Sequence, residues 1–207
     1  MTTGGIVTSS RVLAVPVEVE GQFRFEAELV GLDLPDYVCP FGGNLTFALG
    51  MDILRNMAVA IDSERQRALF LDSGSITPRG DEWQRTEWRD GLVSGTLNGT
   101  RAELRVDTGS SFLALVPANR FDTYFPQADL KTLEPSTGAG KIDEPDVGMA
   151  NIEVRVGDLT VKSDVKQIAA DNGPEDANLG FPFFVWTFTI FDAGQNLIAM
   201  KLPEVPK

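Results

Sequence analysis

The 207-residue chain contains no histidine, a single cysteine and only two tyrosines. Without histidine, a Ser-His or Cys-His nucleophile pair is impossible and histidine-ligated metal sites are excluded. Hydroxyl-lysine pairs stay formally open, but carboxylates are the natural acid/base groups left, and no metal or other cofactor is expected. Cys39 has no second cysteine to pair with inside the chain, which fits a reducing compartment without demanding one. Basic residues are few, 18 against 30 acidic ones, for a net charge of -12. A polyanionic partner or an anionic membrane surface would be repelled, so nucleic acid is not an expected ligand. No stretch approaches the ~18 apolar residues of a membrane span, and no charged-then-apolar leader opens the chain, which leaves the compartment unknown.

What is present is the composition of a folded protein: 43% of residues are hydrophobic and 23% charged, enough for one domain or two small ones. Helical periodicity is scarce, limited to "GMDILRNMA" after Gly50 and "ANRFDTYFP" from Ala118. Strand patterns dominate. "VLAVPVEVEGQFRFEAELVGL", "LVSGTLNGTRAELRVDTG", "NIEVRVGDLTVKSDVKQIAA" and "VWTFTIFDAGQNLIAMKL" are rich in Val, Ile, Phe and Thr and are broken by Gly or Asn-Gly turns. The fold class read from this is all-β with short helices.

The halves of the chain resemble each other. "LGMDILRNMAVAIDSERQRALFL" from Leu49 matches "LGFPFFVWTFTIFDAGQNLIAMKL" from Leu179 at an offset of 130, with Asp62 on Asp192. Upstream, "VEVEGQFRFEAEL" matches "EVRVGDLTVKSDV" at an offset of 136, and "TTGGI" falls near "STGAGKI". The second copy begins at about Leu92 with a segment for which the first has no counterpart. That extra segment holds "LRVDTGSSFLALVP", Leu104 to Pro117.

An Asp-Thr-Gly-Ser closing an apolar strand, a second apolar strand, a Gly-rich loop and a later hydrophobic-hydrophobic-Gly together resemble one lobe of the pepsin and retroviral-protease superfamily of aspartic peptidases. The resemblance covers Leu92 to Leu202 as a complete lobe and Thr2 to Leu71 as the latter part of another. It implies two related β-barrel lobes, the N-terminal one lacking its opening strands. The domains would be 1–75, a partial first lobe; 76–91, a linker; and 92–207, a complete second lobe.

It also implies roles. Asp107 would be the catalytic carboxylate, Thr108 would hydrogen-bond across the lobe interface, Gly109 would let its N–H approach the carboxylate, and Ser110 would bond the outer carboxylate oxygen. Thr137, Gly138 and Gly140 would form a flap over an extended substrate, although plain hairpin turns account equally well for both Gly-rich loops. Leu179 and Gly180, in "NLG", would lie in the strand behind the catalytic loop. The activity implied is peptide-bond hydrolysis on a peptide or protein substrate.

That chemistry takes two carboxylates sharing one proton, the ionised one activating water and the protonated one donating to the carbonyl. Only one is clear. Subtracting either offset from 107 puts the equivalent aspartate 23 to 29 residues ahead of Met1. Asp72, in "LFLDSGSITP", imitates the motif, but the offset of 130 places it on Leu202, at the end of a lobe's last strand, and a polar, Pro-broken segment follows it. Three arrangements follow: a longer single-chain endopeptidase, a homodimer with two copies of Asp107, and a catalytically incomplete binder of extended peptides. Of the remaining motifs, Asp62 and Asp192 read as hairpin-turn residues, and Trp83, Trp88 and Trp186 as packing residues. Asn44 and Asn98 lie in short glycosylation-type sequons, and Asn98-Gly99 is first of all a turn.

Overall fold

The computed structural model describes residues 12–19, 23–30, 51–126, 130–133 and 147–201. The chain divides into two compact units, Met1–Ile53 and Leu54–Lys207. In the first, β1 (Val12–Val19) and β2 (Phe23–Val30) form an antiparallel hairpin in which Val12 faces Val30 and Val19 faces Phe23. This is the hairpin expected from the alternating apolar pattern on either side of Gly21.

The second unit holds two sheets. In one, β6 (Leu92–Leu97), β7 (Thr100–Asp107), β8 (Ala114–Pro117), β10 (Val147–Val156), β11 (Leu159–Ile168) and β12 (Ala177–Gly180) run in the order β11-β8-β12-β7-β6-β10. A β10–β11 ladder then closes the ring, so the six strands form a barrel, with the two-residue β9 (Lys131–Thr132) added on β10. The interior follows strand parity: Ala102 and Leu104 of β7, Val154 and Val156 of β10, and Val93 and Leu97 of β6 are all at most 1% exposed. Asn98 and Gly99 join β6 to β7 with φ of 50° and 78°, the left-handed pair that a two-residue hairpin needs. Helix α2 (Ala118–Tyr124) sinks Phe121 and Tyr124 into the same core.

The other sheet runs β4-β3-β13-β14-β5, from β3 (Met57–Asp62), β4 (Arg67–Asp72), β5 (Trp83–Glu87), β13 (Phe188–Asp192) and β14 (Leu197–Lys201). Its two central hairpins have the same turn. Asp62 accepts the Arg65 N–H at 3.0 Å and Asp192 the Gln195 N–H at 3.1 Å, while Gln66 and Asn196 take φ of 52° and 51°. The β3–β13 register is unchanged when the hairpins are exchanged: Asp62 pairs with Phe188, Asp192 with Ala58, and the centre lies at Ala60–Ile190.

The expected all-β class with short helices holds, with four local differences. Helix α1 is only Met51–Leu54, because the tail of "GMDILRNMA" is claimed by β3, whose Ala58 and Ala60 are buried between neighbouring strands. The segment 76–91, read as a linker, contains β5, which pairs with β14 from Leu197↔Glu87 to Lys201↔Trp83. Strands assigned to the first lobe, β3 and β4, share a sheet with β13 and β14 and lie with them in the unit Leu54–Lys207. Trp83 and Trp88 pack edge-on against Phe188 and Phe191, each at 5.9 Å, whereas Trp186, in the turn entering β13, is 72% exposed.

Candidate active site

Strand β7 delivers Asp107. Its apolar residues Ala102 and Leu104 lock the strand in the barrel wall, and Asp107, half-buried, is the last residue paired. The chain then turns: the Ser110 N–H donates to the Asp107 carbonyl at 3.1 Å, and the Gly109 N–H donates to Asp107 Oδ1 at 3.1 Å. The carboxylate is thereby oriented by its own loop.

Ser110 departs from the expected arrangement. Its hydroxyl donates to the Phe112 carbonyl at 3.2 Å and receives the Phe112 N–H at 3.3 Å, so it is engaged with main chain and not with the outer carboxylate oxygen. Burial explains the choice, since Ser110 is 9% exposed and an interior main-chain group without a partner is costly. Thr108 and Gly109 are exposed.

Behind the loop runs β12, parallel to β7 with Leu179 opposite Val106 and Gly180 opposite Asp107, and antiparallel to β8. Leu179 is fully buried. The Gly180 N–H donates to the Leu113 carbonyl at 2.9 Å and the Phe181 N–H to the Ser110 carbonyl at 3.0 Å, which staples the Asp107 loop to this strand. The approach is so close that a Cβ on Gly180 would lie 1.8 Å from the Phe112 carbonyl oxygen. Only glycine fits. Thr137, Gly138 and Gly140 lie outside the described residues, as does Asn44.

Asp72 closes β4 in the other sheet, exposed, with its carbonyl accepting the Ser75 N–H at 3.0 Å. The two residues after it serve a different carboxylate. Ser73 Oγ donates to Asp192 Oδ1 at 2.6 Å and the Gly74 N–H to Asp192 Oδ2 at 2.8 Å. Asp192, 1% exposed, thus accepts three hydrogen bonds, counting the one from Gln195. Asp62 is held below the usual carboxylate range, chiefly by the Arg65 N–H and then by the Arg65 guanidinium. Asn98 Nδ2 donates to the Tyr124 carbonyl at 2.9 Å, which ties up the amide of that sequon.

Two ion pairs join residues with no local motif to announce them. Arg105 meets Glu175 through Nε to Oε1 and Nη2 to Oε2, both at 3.0 Å, and Arg120 Nη1 meets Asp176 Oδ1 at 2.7 Å. The Arg105 hydrogen bond lowers the Glu175 carboxyl against the opposing effect of burial, and Glu175 raises the guanidinium in return. Burial, followed by the Asp176 charge, pushes the neighbouring Tyr124 hydroxyl up to about 12. These partners are 70 and 56 residues apart, and only the fold brings them together.

Among the described residues no cluster of three or more Asp, Glu or Cys side chains is arranged to hold a metal. A shallow groove lined by Ser94, Gly95, Thr96, Arg101, Arg155 and Gly157 does not include the Asp107 loop. No helix among them is long and apolar enough to cross a membrane.

No known family description matches the chain, and no curated protein does. Among solved structures it is similar to a retropepsin-like aspartic protease from Rickettsia conorii, at 16% identity and a TM-score of 0.43, over 58% of this chain and 90% of that one. It is also similar to an aspartic proteinase from Irpex lacteus, at 9% identity and a TM-score of 0.46, over 72% of this chain but only 56% of that one. The likeness is thus to two aspartic proteases, at low identity and over part of each molecule.

Proposed function

We propose that the chain carries one half of an aspartic-type endopeptidase site, with Asp107 as one of its two carboxylates. The observation that carries this reading is the Asp107 loop itself: a carboxylate at a strand end, fixed by the Gly109 N–H, with Gly180 of "NLG" paired opposite it and pressed so close to the Phe112 carbonyl of the same loop that no other residue fits. In such a site one ionised carboxylate takes a proton from water as the water attacks the peptide carbonyl, and a protonated one donates to the developing oxyanion. A lone carboxylate cannot do both. Asp72 belongs to another sheet and a structural turn, so we assign it no part, and the partner carboxylate comes from a further polypeptide segment or a second copy of the chain.

The test is cleavage of an unstructured peptide, followed over a range of protein concentrations, by the wild type, Asp107→Asn and Asp72→Ala. The expected result is pepstatin-sensitive cleavage lost in Asp107→Asn and kept in Asp72→Ala. Activity per chain that rises with concentration identifies a second copy as the source of the partner carboxylate. Cleavage that survives Asp107→Asn would refute the proposal. Peptide binding without cleavage, indifferent to Asp107→Asn, would replace it with a binder of extended peptides.

A further inference from the structure

The segment that feeds β12, Asp171 to Asp176, is fastened along its length. The Asp171 N–H donates to Asn119 Oδ1 and the Gly173 N–H to Asp171 Oδ1, both at 3.2 Å, and Arg120 Nη2 donates to the Gly173 carbonyl at 2.7 Å. At its end the fastening becomes ionic and turns onto β7. Asp176 and Glu103 exchange two hydrogen bonds, Asp176 N–H to the Glu103 carbonyl and Glu103 N–H to Asp176 Oδ2, both 2.8 Å. The second uses a side chain where a parallel ladder would use main chain, so the Asp176 carboxylate is the first rung of the β7–β12 pairing. Its other oxygen is held by Arg120, and the adjacent Glu175 is gripped by both ends of the Arg105 fork.

We infer that Arg105–Glu175 and Arg120–Asp176 form a clamp of positioning residues that sets the register of β12 and so places Gly180 and the Asp107 loop. Strand β12 is only four residues long, with four paired positions on β7 and two on β8, so few main-chain bonds hold its register and the flanking side chains weigh heavily in it. A slip of one residue would turn Glu175 away from Arg105, part Asp176 from Glu103, and set Leu179 or Phe181 where only glycine fits. Three residues separate Asp176 from Gly180, whose N–H, with that of Phe181, staples the loop to β12. The clamp is therefore an anchor one short strand away from the carboxylate it places. The side chains of Glu175, Arg120, Asp176 and Arg105 are 11, 27, 28 and 35% exposed, sheltered enough for charge-assisted bonds to hold geometry.

That this placement serves catalysis rests on the proposed function; that the clamp sets the register does not, and the experiment separates the two. Amide hydrogen exchange is measured by NMR on the full chain for the wild type, Arg120→Met, Glu175→Gln and the charge swap Arg105→Glu/Glu175→Arg. Protection at Gly180 and Phe181 is expected to fall about tenfold or more in both single-site variants, with β13 amides such as Ile190 unchanged, and to recover in the swap. Should Arg120→Met fail to fold, the near-isosteric Glu175→Gln decides alone. Wild-type protection at Gly180 and Phe181 in Glu175→Gln overturns the inference, and so does an equal loss at Ile190, the mark of a general loss of stability. Where the wild type cleaves peptide, the same variants are expected to lower kcat with KM kept; where it does not, the exchange data alone judge the clamp.

Discussion

At Gly180 a single methyl group would meet the Phe112 carbonyl oxygen at 1.8 Å, a contact that main chain must move to relieve. Gly180→Ala is therefore expected to destabilise the protein by roughly 1–3 kcal/mol and to loosen the Asp107 loop, measurable by urea unfolding and by exchange of the Phe181 amide. The two aspartates at the "DSGS" turn should behave oppositely. Asp192→Ala deprives the half-buried Ser73 hydroxyl and the Gly74 and Gln195 N–H groups of their shared acceptor and should cost roughly 1–2 kcal/mol in the same unfolding measurement. Asp72→Ala removes an exposed side chain and should stay within about 0.5 kcal/mol. Equal effects from the two would contradict the roles assigned to them. Offset arithmetic on the sequence separates Asp72 from Asp107, but it cannot show that Ser73 and Gly74 serve Asp192, 119 and 118 residues away.

The hairpins were legible because their signals are local: Asn98-Gly99 between alternating runs, and Asp62 and Asp192 three residues ahead of the N–H groups they accept. Less could be read of β12, a four-residue strand whose place between β7 and β8 is decided by partners far along the chain. Its clamp has a pH signature. The Glu175 carboxyl lies below its ordinary value of 4.5 in the folded protein, so its contribution is fully present above that value and is lost as pH falls through the lowered one. The stability difference between wild type and Glu175→Gln should be constant at neutral pH and shrink as pH falls past about 4.5 toward the lowered value. A difference that grows as the solution is acidified would show the sign to be wrong.

For the molecule as a whole, the net charge of -12 opposes self-association through long-range repulsion. If a second copy supplies the partner carboxylate, dimerisation measured by sedimentation should strengthen between about 0.01 and 0.15 M salt, as the screening length falls from ~30 to ~8 Å. Weakening over that range would speak against an interface limited by net charge. Peptide cleavage, which needs one protonated carboxylate of the pair, should decline at alkaline pH, and a rate still rising at about pH 9 would exclude a carboxylate dyad.

The insertion of β12 between β7 and β8 also has a consequence in time. Strands β7 and β8 are neighbours along the chain but not in the barrel, and the space between them stays unfilled until a strand some 70 residues later arrives. Contacts of such long sequence separation form late, because the loop between the partners must first be closed. During synthesis the Asp107 loop leaves the ribosome some 70 residues ahead of its two staples, the amides of Gly180 and Phe181. The carboxylate therefore stays unplaced on a nascent chain, and any chemistry that depends on it is withheld until the barrel has closed.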